Sequence, residues 1–433
     1  MKNIVLFLLI CLCVNQIYAQ DISVPVTVKS LTDQSFQKYP KVQEMQDLIR
    51  ISEIRIDLSK AGYFPIASGD ISYRRMYPTD PITMNIAGRT SEIKIMPADN
   101  YNAGITLVQP LLDFKTSASI NKSKSDLATS VDNLENFKMQ LAYQVAQLYY
   151  GIIFINKSLV VQRQQLELIQ SNIKLIEAKI KNGDALAYDL VSMQVRYTNS
   201  ENFYTDTKNQ LSKQYNIMNM LTGNAGAAYV SDSTISDNCF NMATDSIFAV
   251  AMASNLDIKT ANDKIASAKC EVISSDRSQL PTLNLLAGTG FKNGFLPDIN
   301  EIRFNYYVGA ALSIPIFSGS RPYYQKKISR INLTTSNTAL ETQRVTLNKD
   351  LLNVMEDVKK NKTKLSSADT LISQATMALK LANDRYKNGV ITTVELLTAQ
   401  TNYQDALLSR LQYEYNLLLT KLEMNRLVGK RWW

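Results

Sequence analysis

The sequence predicts a mainly α-helical fold with a smaller set of membrane-type β-strands, built from two copies of one unit. Three observations carry that prediction. The first is a long-range echo: Lys181-Asn182-Gly183 returns as Lys387-Asn388-Gly389, 206 residues later. At the same offset Lys174, Leu190, Gln194, Tyr197, Met218, Asn219, Leu221 and Gly223 recur as Lys380, Leu396, Gln400, Tyr403, Met424, Asn425, Leu427 and Gly429. A match that long without a gap is a duplicated supersecondary unit, not a solenoid repeat. The second observation is a pair of very long stretches with apolar residues at helical spacing. The third is a pair of proline-bounded stretches in which small or apolar residues alternate with polar ones.

Taken in order, residues 1–19 read as a secretory signal peptide. Lys2 precedes an apolar run from Ile4 to Val14, and Tyr18-Ala19 stands before Gln20, so the chain leaves the cytoplasm. Repeat 1 then spans 20–223, a linker or equatorial segment 224–243, and repeat 2 spans 244–433. Each repeat opens with a helix, Ser35 to Tyr63 and Thr244 to Gln279. Strand pairs follow at 65–110 and 281–315. In the first, Ala67, Gly69, Ile71 and Tyr73 share one face and Ser68, Asp70, Ser72 and Arg74 the other; Tyr101, Ala103, Ile105 and Leu107 oppose Asn102, Gly104 and Thr106. About ten residues of such alternation suit a tilted membrane strand. Tyr73, Tyr101, Phe291 and Phe304 fall at one level beside loops 77–100 and 292–303, as an aromatic girdle at a membrane interface would.

Each repeat closes with a long helical hairpin. Between Thr116 and Lys181 the apolar positions Val145, Leu148, Ile152, Ile155, Leu159, Leu166, Ile169, Ile173, Ile176 and Ile180 step by three and four, with polar Gln162 in the seam. That 3.5-residue period predicts a coiled coil. Leu351, Val354, Val358, Asn361, Leu365, Ala368, Ile372, Ala375, Leu379, Ala382 and Tyr386 keep the register in the second copy. The return helices run from Asp184 to Thr222 and from Val390 to Val428, with tips near 183 and 389.

Composition narrows the function. The chain has 47 Lys and Arg against 39 Asp and Glu, interleaved as on solvated helix faces, so no nucleic acid is expected. It has no histidine, which excludes histidine triads, proton shuttles and histidine metal sites. Cys239 and Cys270 alone remain after the signal, too few for a disulfide framework. Gly288-Thr289-Gly290 lacks the third glycine of a dinucleotide loop and sits in an expected strand. An enzyme is not expected, and neither a cofactor nor a metal. After residue 19 no apolar run approaches the ~20 residues of a spanning helix, so membrane entry must use strands. Four strands leave two unpaired edges in a bilayer, which copies of the chain must close. Two, three or four copies give 8, 12 or 16 strands, and an open conduit favours twelve or more.

Across residues 30 to 430 the chain resembles the outer membrane efflux protein family typified by TolC. The two repeats carry the resemblance, with the strand pairs ending in Gln109-Pro110-Leu111-Leu112-Asp113 and Ile314-Pro315-Ile316-Phe317-Ser318-Gly319, and with two Gly-x5-acid turns. It implies a homotrimer whose 12-stranded outer-membrane barrel continues as a 12-helix periplasmic tunnel. The implied partners are a periplasmic adaptor (membrane fusion) protein, an inner-membrane pump of RND or ABC type, and outer-membrane lipid. The implied function is the exit duct of a tripartite efflux system; the alternative is the channel of a type I protein secretion system.

The two turns run from Gly183 to Asp189 and from Gly389 to Glu395. Glycine there permits the positive φ of a tight turn, and an acid one turn into the next helix favours its N-terminus. The same acids, gathered by symmetry, would form a carboxylate ring that attracts cations. The resemblance implies such a ring at Glu395; the second acid of the family pattern is Thr398 here. It also implies a gate latch between Tyr386 and Asp189, while Ile391 stands where a second, arginine latch would be. Adaptor docking is implied at Gly183, Asp184, Ala185, Gly389, Val390 and Thr392.

Overall fold

The structure, a computed structural model, describes residues 27–86, 89–223 and 244–433. The signal peptide, the 224–243 segment and Cys239 lie outside the described residues. Helices α1 (Val28–Lys38) and α2 (Pro40–Ala61) lead into strand β1 (Ile66–Arg75), a small hairpin of β2 (Ile82–Ile86) and β3 (Arg89–Ile93), and strand β4 (Asp99–Leu112). The long helix α3 (Phe114–Lys181) and its return α4 (Ala187–Thr222) follow. The order then recurs: α5 (Thr244–Ser254), α6 (Leu256–Arg277), β5 (Thr282–Lys292), β6 (Arg303–Ser313), α7 (Arg321–Lys387) and α8 (Thr393–Val428). Helices α3 and α7 have 68 and 67 residues, and α4 and α8 have 36 each.

Three stretches are more finely divided than the sequence reading has them. The opening helix is two helices, because Tyr39 precedes Pro40 and is held extended (φ −72°, ψ 117°), the conformation a following proline imposes. The stretch 244–279 breaks at Asn255, whose Oδ1 accepts from the backbone N–H of Asp257 (2.9 Å) and Ile258 (3.1 Å) while Nδ2 donates to the Leu427 carbonyl. Loop 77–100 carries the β2–β3 hairpin, with Ile82 opposite Ile93. In addition, β4 continues past Pro110 through a register shift between Pro110 and Leu112; proline has no N–H for a central ladder, so pairing resumes beyond it.

By internal contacts the chain divides into two units. The unit of residues 45–133 and 259–343 holds a four-stranded antiparallel sheet in the order β1-β4-β5-β6. Its register aligns Ala67 with Leu107, Leu107 with Ala287 and Ala287 with Val308. Ile71 pairs with Ala103, Ala103 with Phe291 and Phe291 with Phe304. Directly opposed residues point to the same side, so the four apolar sets form one continuous face. The other face carries Ser68 opposite Thr106, their hydroxyls 2.7 Å apart, and Asp70 opposite Gly104.

Beside the sheet, α2 and α6 dock on α3 through polar contacts. Ser52 and Ser59 reach Ser130 and Ser123 at 3.0 and 2.8 Å. Lys259 pairs with the buried Asp132 at 2.8 Å. Asp263 Oδ2 is buried without a donor facing it, and burial together with the Asp132 carboxylate pushes the Asp263 carboxyl up to about 6, against the pull of Lys259. The folded chain therefore holds this proton more tightly than the unfolded chain, and stability falls as pH rises from the ordinary aspartate range toward 6. Asp263→Asn supplies a permanent donor. It is expected to raise neutral-pH stability by about 1 kcal/mol, after allowing for the solvent-exposed part of the group, and to flatten the pH 4–6 slope of thermal unfolding. An unchanged slope would count against the shared proton.

The unit of residues up to 44, 134–258 and 344–433 is helical. Val145, Ile152, Ile155, Ile169 and Ile176 of α3 are buried, as are Leu351, Val354, Val358, Ala368 and Ala375 of α7, so the 3.5-residue seams face inward. The polar residue in each seam has a threonine partner on the return helix: Gln162 donates to Thr207 and Asn361 to Thr420, both at 3.1 Å. Such pairs fix register between helices at some cost in stability.

Candidate functional site: the hairpin tips and the apolar sheet face

The two tips are built alike. Gly183 (φ +83°) and Gly389 (φ +72°) end α3 and α7 in the left-handed region. In the first, Gly183 N–H donates to Ile180 (3.0 Å) and Asp184 N–H to Lys179 (2.9 Å); in the second, Gly389 donates to Tyr386 (3.1 Å) and Val390 to Arg385 (2.9 Å). This is the Schellman pattern, which satisfies the last carbonyls of a helix and demands positive φ. Gly183, Asp184, Gly389, Val390 and Thr392 are exposed and Ala185 is half-buried.

The acid that follows each glycine caps the next helix. Glu395 Oε2 accepts from the backbone N–H of Thr392 at 2.8 Å and from its hydroxyl at 3.0 Å, while Thr392 Oγ1 accepts from Glu395 N–H at 3.3 Å. That is a complete capping box. The hydrogen bonds from Thr392 hold the Glu395 carboxyl below its ordinary range. In the first tip Leu186 occupies the cap position, and having no side-chain acceptor it keeps only one half: Asp189 Oδ2 accepts from Leu186 N–H at 3.2 Å. The Gly-x5-acid spacing thus has a full local cause, and Glu395, fully exposed, keeps Oε1 for other work.

Tyr386 is 6% exposed, and its hydroxyl lies 3.4 Å from Thr393 Oγ1. Among the described residues the chain does not bring Tyr386 and Asp189 together; each has a partner within its own tip. What joins the two tips is Lys179, whose ammonium sits 4.2 Å from the centre of the Tyr386 ring and 3.4 Å from its carbonyl oxygen. A cation over a desolvated aromatic face is attracted by the ring's charge distribution. Further along, Asn172 donates to the buried Gln400 at 3.2 Å, Arg196 donates to Thr401, and Leu397 packs on Ile169, Ile176 and Met193. Burial lowers the Arg196 guanidinium from its ordinary value. The sequence reading missed Lys179 because its partner lies 207 residues away.

The sheet's apolar face exposes Ile71, Ile105, Tyr306 and Val308. Tyr73 and Tyr101 meet at 5.2 Å and Phe291 and Phe304 at 5.7 Å, two cross-strand aromatic pairs at the loop end of the sheet, with Phe291 opposite Ala103, two residues from Tyr101. A second set of exposed aromatics, Phe64, Phe114 and Phe317, flanks the opposite strand ends. Tyr73 lies nine positions after Phe64. At about 3.3 Å each and about 40° of tilt they span roughly 23 Å, against about 25 Å for the apolar band of an outer-membrane barrel. Among the described residues neither β1 nor β6 has a second partner, so both present open edges. No helix among the described residues is long and apolar enough to cross a membrane.

The sequence model of the outer membrane efflux protein family matches residues 31–224 and 249–430. The chain belongs to the outer membrane efflux protein family. Among curated relatives, the alkaline protease secretion protein AprF of Pseudomonas aeruginosa is 20% identical over 73% of this chain and 67% of its own length. The outer membrane efflux protein BepC of Brucella suis is 19% identical over 88% and 80%. The crystal structure of the Campylobacter jejuni CmeC outer membrane channel superposes with a TM-score of 0.78 at 14% identity, covering 93% of this chain and 85% of that one. This efflux-family chain thus has the mainly helical fold with one four-stranded sheet that its sequence predicts, and shares that fold with the solved outer membrane channel.

Proposed function

We propose that the chain is the outer-membrane exit duct of a tripartite efflux system, passively conducting small molecules that an inner-membrane pump, of RND or ABC type, delivers through a periplasmic adaptor. The observation that carries this reading is one sheet with a continuous apolar face and two open edges, β1 and β6. Unpaired strand edges in hydrocarbon cost several kcal/mol per backbone group. Pairing β6 of one copy with β1 of the next removes them, and three copies give a 12-stranded barrel wide enough to conduct. The native mass in mild detergent tests this: about three chain masses support it, and a monomer or dimer rejects it. Repeats 20–223 and 244–433, joined by 224–243, each supply two strands and one hairpin.

In this reading the hairpin tips close the periplasmic end, with Glu395, Asp189 and Tyr386 as the gate and Gly183, Asp184, Ala185, Gly389, Val390 and Thr392 as the adaptor's seat. Glu395 stays ionised because Thr392 favours its charged form, so three copies set a negative ring at the axis. Glu395→Gln is expected to lower the cation-over-anion permeability ratio several-fold in planar bilayers. An unchanged ratio would remove Glu395 from the pore. Protein secretion by the same duct is favoured by the likeness to AprF, an alkaline protease secretion protein; the pump that co-purifies with the adaptor-bound channel, proton-driven or ATP-binding, decides between the two.

A further inference from the structure

We propose that the first turns of α7 bind the headgroup of an anionic phospholipid at the periplasmic rim of the barrel, through Lys326, Lys327 and Arg330 with Tyr323 beside them. Between Glu301 and Glu341 the sequence holds Arg303, Arg321, Lys326, Lys327 and Arg330 and no acid. Tyr323, Lys326, Lys327, Arg330, Ile331 and Thr334 recur at the three- and four-residue steps of one helix face, and they line a groove of about 320 Å³. That is the lower end of the range for ligand pockets. Lys326 spends its charge on Asp276, 2.5 Å away. Lys327 and Arg330 are exposed and have no ion pair among the described residues.

The position of this stripe selects the ligand. The apolar face of β6 ends at Leu312, and Ile316 and Phe317 beyond it are 95% and 87% exposed. Tyr323 and Tyr324 follow, also exposed. Strand, aromatic belt and cations therefore succeed one another as hydrocarbon, interface and headgroup layer do. From Tyr323 to Arg330 the helix advances roughly 10 Å, and the headgroup layer extends about 5–8 Å beyond the hydrocarbon. Lysine and arginine reach back across such a gap, with their stems on apolar surface and their charge on phosphate. A phospholipid phosphate complements the stripe in charge, and the stripe follows in the chain directly after the strand that carries the apolar face.

This inference rests on the barrel reading, and the test separates the two. Full-length protein is purified in mild detergent and reconstituted in vesicles of phosphatidylcholine alone or with phosphatidylglycerol. The thermal stability of the assembled species is then read for wild type and for Lys327→Gln with Arg330→Gln. Phosphatidylglycerol is expected to raise the melting temperature of wild type and to leave that of the double variant unchanged, with equal stability of both in phosphatidylcholine. Binding of short-chain phosphatidylglycerol in detergent should weaken about fivefold per charge removed. An equal phosphatidylglycerol response in the variant, or none in wild type, overturns the site. A variant that fails to assemble in either lipid also overturns it, and identifies the stripe as a contact between copies. Wild type that assembles in neither vesicle defeats the barrel reading itself.

Discussion

Gly290→Val is expected to abolish most of the assembled channel. A Cβ at this position would lie 2.4 Å from the Ala103 carbonyl oxygen and 2.5 Å from the Cα of Gly104 on the neighbouring strand. Both obstacles are backbone, so no rotamer change relieves them, and β4 and β5 must separate. These two strands join the first half of the sheet to the second. Overpacking of this kind costs about 1–3 kcal/mol where side chains can yield, and backbone yields less. In a closed barrel of three copies the damage is repeated at each one. Gly69→Val is the control: nothing lies within 4 Å of its Cβ, and it shares the apolar face with Ile71. The measurement is the heat-modifiable species on gels of outer-membrane fractions. Gly290→Val should lose it and Gly69→Val keep it. Equal loss in both would mean that strand propensity, and not close approach of backbones, sets the requirement for glycine.

Gly290 also marks how far the sequence could be read. Its place in an alternating strand was legible, because a two-residue period needs only local residues, and so were the aromatics at the loop ends of the strands, the long helices and the capped tips. The second aromatic set was not: Phe64, Phe114 and Phe317 lie outside the strands, where alternation says nothing. The single helix expected from Ser35 to Tyr63 runs through Pro40, although the proline itself marks the break; the break at Asn255 has a local cap and is fixed further by the carbonyl of Leu427, 172 residues away. The β2–β3 strands have five residues each, too short for a periodic signal. Why Gly290 must be glycine required the distance to Gly104 across a strand pair. The tips divide in the same way. Gly183, Asp189, Gly389 and Glu395 announce their local roles by spacing, whereas the lysine that joins one tip to the other follows from no pattern in either hairpin.

Lys179→Met is expected to raise the resting conductance of reconstituted channels more than Tyr386→Phe does. In the proposed gate the closed state keeps the two hairpins of each chain together, and Lys179 is a cationic side chain that spans from one tip to the other, through the Tyr386 ring and carbonyl, in addition to the contacts of Asn172, Arg196 and Leu397 further along. Methionine preserves the length and the apolar stem of lysine but removes the charge that the ring attracts. A cation–π contact with a desolvated ring is worth about 1–2 kcal/mol, which corresponds to roughly a five- to thirty-fold change in the ratio of open to closed. Phenylalanine at 386 keeps the ring and loses only the hydroxyl, which faces Thr393. Its leak therefore measures the hydroxyl's share, including any latch to Asp189 in the assembled channel, and Tyr386→Leu measures ring and hydroxyl together. Lys179→Arg, still cationic and able to stack on the ring, should restore the low resting conductance. If Tyr386→Phe leaks as much as Lys179→Met and arginine rescues nothing, the hydroxyl closes the gate and Lys179 only packs beside it. If Lys179→Met conducts as wild type does, the tips are held shut between copies, not within one chain.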